Sequence, residues 1–300
     1  MARLEPSRSL VLAKCEAFTD FQLWPAHDEL DTEGWLSNFD DAEMPYALTL
    51  LNHFVYYPRK FAAKLVRHSI HDLSRDVVSR ATTQATAKHE WAKFLDAMLI
   101  TRVTGETPND TDSAFQIVRL VRQHVEIPEE QIIEPENLVS LLLGLRDRTV
   151  VFMDDFVGSG NQLIETWRRP YPTGTRRFSF EEVSRLKLGH RFLYLPIVAT
   201  SYGIEHIGKE AKAVEVRASH VLGSEYNCLH ADCRIWPDHL KPNAVAVLRN
   251  ASARAGIPDD EWTGFHDLGL AFAFEGSTPD ATLPLFHWNR NNWKRLVART

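Results

Sequence analysis

The sequence predicts an α/β fold with a mainly parallel sheet, preceded by an α-helical N-terminal region. Through the N-terminal third, apolar residues recur every three or four positions, which is typical of amphipathic helices. From residue 97 onward, short β-branched apolar runs alternate with helical patterns, and this alternation favours parallel strands covered by helices on both faces. We therefore expect an α-helical region over residues 1–95 and an α/β domain over residues 96–300.

The N-terminal region is expected to contain three main helices. Residues 46–57 are densely apolar, and Pro58 ends this run because proline disfavours helix in the residue before it. Apolar residues spaced three or four apart predict a second helix within 61–77 and a third within 91–98.

The elements of the α/β region are predicted in chain order. Residues 98–103 suit a short strand, and the polar loop 104–111 leads to a helix over 114–125 that Asp112 or Ser113 can cap. Pro135 can begin the next helix because it has no N–H to donate. The remaining elements are a buried strand at 149–153, a helix begun by the capping box of Ser179 and Glu182, strands at 192–199, 213–217 and 268–274, and a helix at 243–254.

Composition sets broad limits on function. The 300 residues are 44% hydrophobic and 25% charged, with a net charge of -6, which excludes a generally basic nucleic-acid coat but allows a local basic groove. The longest apolar stretch, 138–145, is too short to span a membrane, and the N-terminus lacks a signal-peptide core. Three cysteines cannot all pair internally, so we expect a reduced, cytoplasmic protein with no membrane partner.

The most informative segment runs from Val150 to Gln162. A hydrophobic strand ends in Asp154 and Asp155, and a Gly-Ser-Gly turn then leads into a helix. Backbone N–H groups of such a turn and of the helix N-terminus favour a phosphate, and Ser159 can add a hydroxyl donor. The two carboxylates would repel that phosphate, so we expect them to face sugar hydroxyls or Mg²⁺.

Two other phosphate motifs fit this segment less well. A Walker loop requires lysine after its last glycine, whereas Asn161 follows Gly160 here. A dinucleotide fingerprint requires a third glycine, where this chain has Leu163, and an acid about 20 residues downstream. An ordinary strand–loop–helix with an acidic solvated rim remains the structural alternative.

The segment resembles the signature of type I phosphoribosyltransferases, which bind phosphoribosyl pyrophosphate (PRPP). The resemblance implies that Asp154 and Asp155 contact the ribose hydroxyls, directly or through Mg²⁺, as catalytic and metal-binding residues. It also implies a phosphate loop made of Phe156, Val157, Gly158, Ser159, Gly160, Asn161 and Gln162. Where the family commonly has a second glycine and a hydroxyl residue, this chain has Asn161 and Gln162, so the resemblance supports the backbone cradle but not one of the hydroxyl contacts to phosphate.

The chain is also similar to phosphoribosyltransferase-like proteins of bacterial antiphage systems, some of them encoded with retrons. That resemblance rests on the helical N-terminal region, the Asp-Asp-Phe-x-Gly-Ser-Gly motif and a C-terminal segment, 278–288, with Pro-Asp, Leu-Pro-Leu-Phe and Trp. It implies a defence effector, with a nucleoprotein or protein partner as a further expectation.

A second loop, 101–107, is the candidate for binding pyrophosphate. Arg102 lies near the end of a predicted strand, and Thr104 and Gly105 lie between that strand and a helix. Arg102 can supply positive charge, although Glu106 works against it. A polar surface loop is the other interpretation of this segment.

The resemblance leaves two kinds of function open. An enzyme would displace pyrophosphate from ribose C1, with Asp155 as the candidate general base. A catalytically inactive nucleotide sensor, or a scaffold for a nucleoprotein, would use the same pocket or the basic patches without turnover.

Three weaker signals complete the analysis. Four metal-capable side chains lie close in sequence, but their spacing departs from common zinc sites, and buried thiols with surface histidines are the alternative: Cys228, His230, Cys233 and His239. Basic residues follow the motif helix, as a solvated surface or a partner patch: Arg168, Arg169, Arg176, Arg177, Arg185 and Lys187. Phe286, His287 and Trp288 can stack on a base or belong to the core, and the basic-aromatic segment 288–299 can form a lid or a docking face.

Overall fold

A computed structural model describes residues 7–105, 113–125 and 127–298. The helices are α1 (Arg8–Asp20), α2 (Thr32–Leu36), α3 (Met44–His53), α4 (Arg59–Asp72), α5 (Ser74–Val77), α6 (Gln84–Ala97), α7 (Ser113–His124), α8 (Pro135–Leu142), α9 (Asn161–Arg168), α10 (Phe180–Arg185), α11 (Ser201–Glu210) and α12 (Lys241–Ala255). The strands are β1 (Val55–Tyr57), β2 (Met98–Arg102), β3 (Thr149–Val157), β4 (Tyr171–Thr173), β5 (Arg176–Phe178), β6 (Arg191–Thr200), β7 (Val214–Val216), β8 (His220–Leu222) and β9 (Phe272–Phe274).

The main sheet confirms the predicted α/β class. Its strands run in the order β2-β3-β6-β7, every neighbouring pair along this path is parallel, and β8 also pairs with β6. Leu99 lies opposite Val150, and Val150 lies opposite Phe192. The two inner strands, β3 and β6, are almost wholly buried, which is why they read as continuous apolar runs in the sequence.

Helices cover the sheet and form its core. Side chains of α8, α9, α10 and α11 join Phe152, Phe192 and Tyr194 of the strands in one hydrophobic cluster. The Trp167 ring of α9 lies edge-on to Phe192 at 4.9 Å between ring centroids. α7 packs on β2 and β3 and buries a separate set of apolar residues: Ile117, Leu120 and Val121. The Ser179–Glu182 capping box begins α10 as predicted.

The chain forms two compact units. One consists of residues 62–221 and contains the main sheet, and the other consists of residues 1–61 and 222–300. The predicted division into domains 1–95 and 96–300 stays a prediction.

The second of these units contains a small sheet that sequence reasoning did not find. The helix expected over 46–57 ends at His53, and Val55–Tyr57 form β1 in parallel pairing with β9. The two strands are short apolar runs, and periodicity alone cannot distinguish a strand from a helix in runs of this length. They also lie more than two hundred residues apart in the chain, so no local pattern indicates that they pair.

The C-terminal aromatic residues belong to the core of this unit. Phe286 stacks on Trp35 at 5.3 Å between ring centroids, and the Leu285 carbonyl accepts hydrogen bonds from the indole N–H groups of Trp35 and Trp293. His287 is buried, and the Trp288 indole donates to the Ala255 carbonyl. Of the two interpretations offered for these residues, the core packing is observed.

Within the described part of the chain, no helix combines the length and the apolar character that crossing a membrane requires.

Candidate functional site

The two motif carboxylates lie inside a strand rather than after it. β3 continues past the predicted end at Met153 to Val157, so Asp154 and Asp155 occupy successive positions of a pleated strand. Their side chains nevertheless interact with each other, through a side-chain hydrogen bond and through electrostatic repulsion. Asp154 is 1% exposed and Asp155 is 6% exposed.

Both oxygens of the Asp154 carboxylate accept hydrogen bonds from the protein. The Tyr194 hydroxyl donates to Oδ2 at 2.8 Å, and the Asp155 backbone N–H donates to Oδ1 at 2.9 Å. Burial away from water, together with the neighbouring Asp155 carboxylate, raises the pKa of Asp154 well above its ordinary value. Asp154 is therefore held within the sheet by its own neighbours.

The backbone around Asp155 departs from regular pairing. The β3–β6 register runs from Thr149 to Asp154, omits Asp155 opposite Ile197, and resumes at Phe156. Pro196, the partner of Asp154, has no N–H, and its carbonyl accepts from Ser219. The Asp155 N–H turns to the Asp154 side chain instead.

One residue of the Gly-Ser-Gly turn has a left-handed backbone conformation. Gly160 has φ +82° and ψ -1° and caps the N-terminus of α9, whereas Gly158 has no positive φ. The close approach at Gly160 is made to α11, because an added Cβ would lie 2.7 Å from Ile207 Cγ1 and 3.0 Å from the Gly203 carbonyl oxygen. Glycine is thus required here by φ and by packing together.

The N-cap residue of α11 and a side chain in the middle of that helix bind the carbonyls of the turn. The Thr200 hydroxyl donates to the Gly158 carbonyl at 2.5 Å, and His206 Nδ1 donates to the Ser159 carbonyl at 2.8 Å. In a trans peptide the carbonyl and the following N–H point in opposite directions. The N–H groups of Ser159 and Gly160 are therefore turned away from α11.

The N–H groups of the two buried residues Ser159 and Gly160 are the candidate anion donors of the turn. Neither donates to an acceptor within the described ranges, and the Asn161 N–H at the helix N-terminus is 3.3 Å from Ser159 Oγ. Since Ser159 Oγ accepts there, its hydroxyl hydrogen is left for a ligand. Adjacent unsatisfied donors at a helix N-terminus favour a phosphate group.

The other residues of the predicted phosphate loop differ in exposure. Val157 is buried, Phe156 and Asn161 are half-buried, and Gln162 is exposed. The Gln162 side chain extends toward Gly105, so that a Cβ on that glycine would lie 3.9 Å from Gln162 Nε2.

The candidate pyrophosphate loop lies beside the same helix, α9. The Thr104 N–H donates to Thr166 Oγ1 at 3.0 Å, and the Arg169 guanidinium donates to Thr104 Oγ1 and to the Gly105 carbonyl, each at 2.6 Å. The two predicted loops are thus brought together. Glu106, Thr107 and the capping candidate Asp112 lie outside the described residues.

Arg102 is the buried cation of this region. It ends β2 with its side chain 9% exposed, and its Nε donates to a Glu134 carboxylate oxygen at 2.9 Å. Glu134 offsets part of the positive charge that the sequence assigned to this loop.

Sequence reasoning missed four residues that shape the site. Tyr194 holds Asp154, Thr200 and His206 hold the turn, and Thr166 holds the first loop. Arg169 was noticed only as one member of a basic cluster. Thr200 could have been found, because it precedes a glycine by three residues at a strand end and caps α11.

Much of the basic cluster is used in internal contacts. Arg168 pairs with Glu210, Arg185 pairs with Glu181, and Arg177 donates to the Pro170 carbonyl. Contacts of this kind are typical of a solvated surface.

The cysteine and histidine residues flagged for zinc do not gather into a site. Cys228 and Cys233 are buried in a hydrophobic core, while His230 is exposed beside Asp232. Among the residues that the structure describes, no three His, Cys, Asp or Glu side chains converge as metal ligands.

The motif carboxylates are the side chains here that could hold a Mg²⁺ ion bound together with the ligand. Both Asp154 oxygens accept protein hydrogen bonds, and the Asp155 side chain interacts with Asp154; of the two, the less buried Asp155 is the candidate ligand for Mg²⁺. Mg²⁺ is commonly held by one or two carboxylates with water and substrate phosphates, and this set is compatible with that arrangement.

Comparison with known proteins gives one family match. The model of the PRTase-CE family matches residues 32–299. Among solved structures, the chain is similar to the orotate phosphoribosyltransferase from Aeropyrum pernix, at 11% identity and a TM-score of 0.25, over 50% of this chain and 70% of that chain. It is also similar to the AQ2163 protein from Aquifex aeolicus, at 10% identity and a TM-score of 0.31, over 82% of this chain and 98% of that chain. The comparison with curated proteins found no match.

Proposed function

The chain belongs to the PRTase-CE family, and from this premise we propose that it is a phosphoribosyltransferase-like protein that binds PRPP or a related ribose 5-phosphate ligand with Mg²⁺. The observation that carries the proposal is the pair of N–H groups at Ser159 and Gly160. The carbonyls of the same two peptide groups accept hydrogen bonds from Thr200 and His206. This orientation turns the N–H groups away from α11, where they are proposed to bind a phosphate.

Each part of the ligand has a counterpart in the site. The turn and the Ser159 hydroxyl bind the 5-phosphate, and Asp155 binds the ribose hydroxyls, directly or through Mg²⁺. The loop of Thr104 and Gly105, with Arg102 and Arg169 beside it, receives the pyrophosphate. The Asp154 carboxylate accepts a hydrogen bond from the Asp155 backbone N–H, and in this proposal it supports Asp155 without touching the ligand.

As an enzyme, the protein would form a bond from a nucleophile to ribose C1 and break the bond from C1 to pyrophosphate. The nucleophile's proton would pass to Asp155. The Arg102 and Arg169 guanidinium groups beside the first loop, together with Mg²⁺ when it is bound, would stabilise negative charge on the leaving pyrophosphate.

A binding role without turnover is the second candidate. It is favoured by the burial of both motif carboxylates, since Asp154 is 1% exposed and Asp155 is 6% exposed. In this role the protein would sense a nucleotide, or serve as a scaffold subunit with a nucleoprotein partner. For both candidates we propose a role in bacterial antiphage defence with a retron, supported by the sequence resemblance alone.

Calorimetry with PRPP and Mg²⁺ tests the proposal. We expect binding by the full chain, loss of binding in Asp155→Asn, and no change in the control Asp96→Asn, which alters an exposed carboxylate on α6. Equal affinity of Asp155→Asn and the unaltered chain would refute the assigned site. Pyrophosphate release distinguishes the enzyme from the sensor, and phage plating with the same variant tests the role in defence.

A further inference from the structure

The orientation of the peptide between Ser159 and Gly160 decides whether the turn attracts or repels an anion. As observed, the carbonyl points to α11 and the Gly160 N–H points away from it. Rotating this peptide by half a turn would exchange the two groups and place a carbonyl oxygen where the N–H now lies. A carbonyl oxygen carries partial negative charge and would repel a phosphate.

The identity of residue 160 makes this rotation accessible. Rotation changes mainly ψ of Ser159 and φ of Gly160, and glycine adopts positive and negative φ with similar ease. The backbone of the turn therefore does not fix its own orientation at this peptide.

A side chain of α11 supplies the missing restraint. His206 is half-buried, and its Nδ1 lies 2.8 Å from the Ser159 carbonyl oxygen. Because a carbonyl can only accept, Nδ1 carries the hydrogen. The neighbouring peptide is restrained separately, by the Thr200 hydroxyl on the Gly158 carbonyl, and Thr200 is itself held by the Gly203 N–H at 2.9 Å.

We propose that His206 is a positioning residue that sets the polarity of the Ser159–Gly160 peptide and so keeps the Gly160 N–H directed toward the 5-phosphate. This inference rests on the proposed function and extends it to a residue that touches neither ribose nor phosphate. It assigns His206 to the phosphate turn and not to the loop that receives pyrophosphate.

The test compares two substitutions at one position. His206→Asn keeps a donor at a similar distance from the backbone, and His206→Leu keeps comparable volume without a donor. Glu205→Leu serves as the control, since Glu205 is exposed on the same helix. Affinity for ribose 5-phosphate and for pyrophosphate is measured by calorimetry on the full chain, with Mg²⁺ present.

We expect His206→Leu to bind ribose 5-phosphate about five- to tenfold more weakly, the order of one lost hydrogen bond. His206→Asn and Glu205→Leu should bind it as the unaltered chain does, and pyrophosphate affinity should change in none of them. Unaltered affinity in His206→Leu would overturn the inference and leave the proposed function intact. Equal loss in His206→Asn and His206→Leu would also overturn it.

A measurement without ligand separates this inference from the proposed function. If the unaltered chain binds no ribose phosphate, the proposed function fails, and NMR then decides the role of His206. In His206→Leu the Gly160 amide proton should gain Overhauser contacts to the Ile207 side chain, because the rotated N–H faces α11. An unchanged contact pattern would overturn the inference.

Discussion

The contact between α11 and the phosphate turn can be tested with two glycines of the same helix. Gly203 faces the turn, and a Cβ there would lie 2.5 Å from the Gly158 carbonyl oxygen and 2.9 Å from Val157 Cγ1. Gly208 lies further along α11, and apart from the neighbouring backbone of its own helix, a Cβ there would meet no described atom within 4 Å. The change from glycine to alanine is chemically the same at both positions.

The expected effects on stability differ. In a helix interior, alanine is favoured over glycine by about 1 kcal/mol, so Gly208→Ala should stabilise the fold by about that amount. At Gly203 the same gain is opposed by overpacking, which typically costs about 1–3 kcal/mol. The carbon–oxygen contact of 2.5 Å must open to about 3.3 Å, the start of the range for such contacts. The turn therefore has to move by almost an ångström.

That movement should appear in ligand affinity more than in stability. A displacement of about 1 Å in a positioned group can lower function by about a hundredfold. We expect Gly203→Ala to bind ribose 5-phosphate at least tenfold more weakly and Gly208→Ala to bind it normally. Calorimetry measures the affinity, and urea unfolding measures the stability. Normal ribose 5-phosphate binding by Gly203→Ala would refute the argument that α11 shapes the turn.

Three further predictions follow from individual contacts. Burial raises the pKa of Asp154, so the contribution of its carboxyl group to stability is greatest below about pH 4 and declines as the pH rises through the raised pKa. In urea unfolding, the stability of Asp154→Asn relative to the unaltered chain should therefore increase from pH 4 to pH 8, and a constant difference would contradict this. Arg169→Lys replaces a guanidinium that binds Thr104 and Gly105 together, so pyrophosphate affinity should fall about fivefold while ribose 5-phosphate affinity stays unchanged. If calorimetry shows that both affinities fall equally, the two ligand groups do not bind to separate loops. Burial raises the pKa of Cys15 to about 11 and also raises the pKa of Cys228 and Cys233. The folded chain should therefore resist a thiol-disulfide reagent at pH 8 until urea is added, and rapid labelling of the folded chain would show that a thiol is accessible.

The parts of the site that sequence could predict are those encoded by neighbouring residues. The turn at 158–160 is such a case, since the left-handed Gly160 and the helix after it depend on local backbone preferences. The capping box at Ser179 is another. Both were located correctly because each depends on a few consecutive residues.

The parts that sequence could not predict depend on residues far apart in the chain. His206 follows Ser159 by 47 positions, and no pattern near the motif indicates that it binds there. The pairing of β1 with β9 has the same character. The burial of Asp154 and Asp155 within the sheet follows only once β3 is known to reach Val157.

Because α11 completes the turn, a segment consisting of β3 and α9 alone would not reproduce this binding surface on another scaffold. A search pattern for the arrangement needs two blocks, Asp-Asp-Phe-Val-Gly-Ser-Gly at 154–160 and Thr-x-x-Gly-x-x-His at 200–206. A chain that has the first block without the second would have to stabilise its glycine turn by different means, and its phosphate chemistry should not be assumed to be the same.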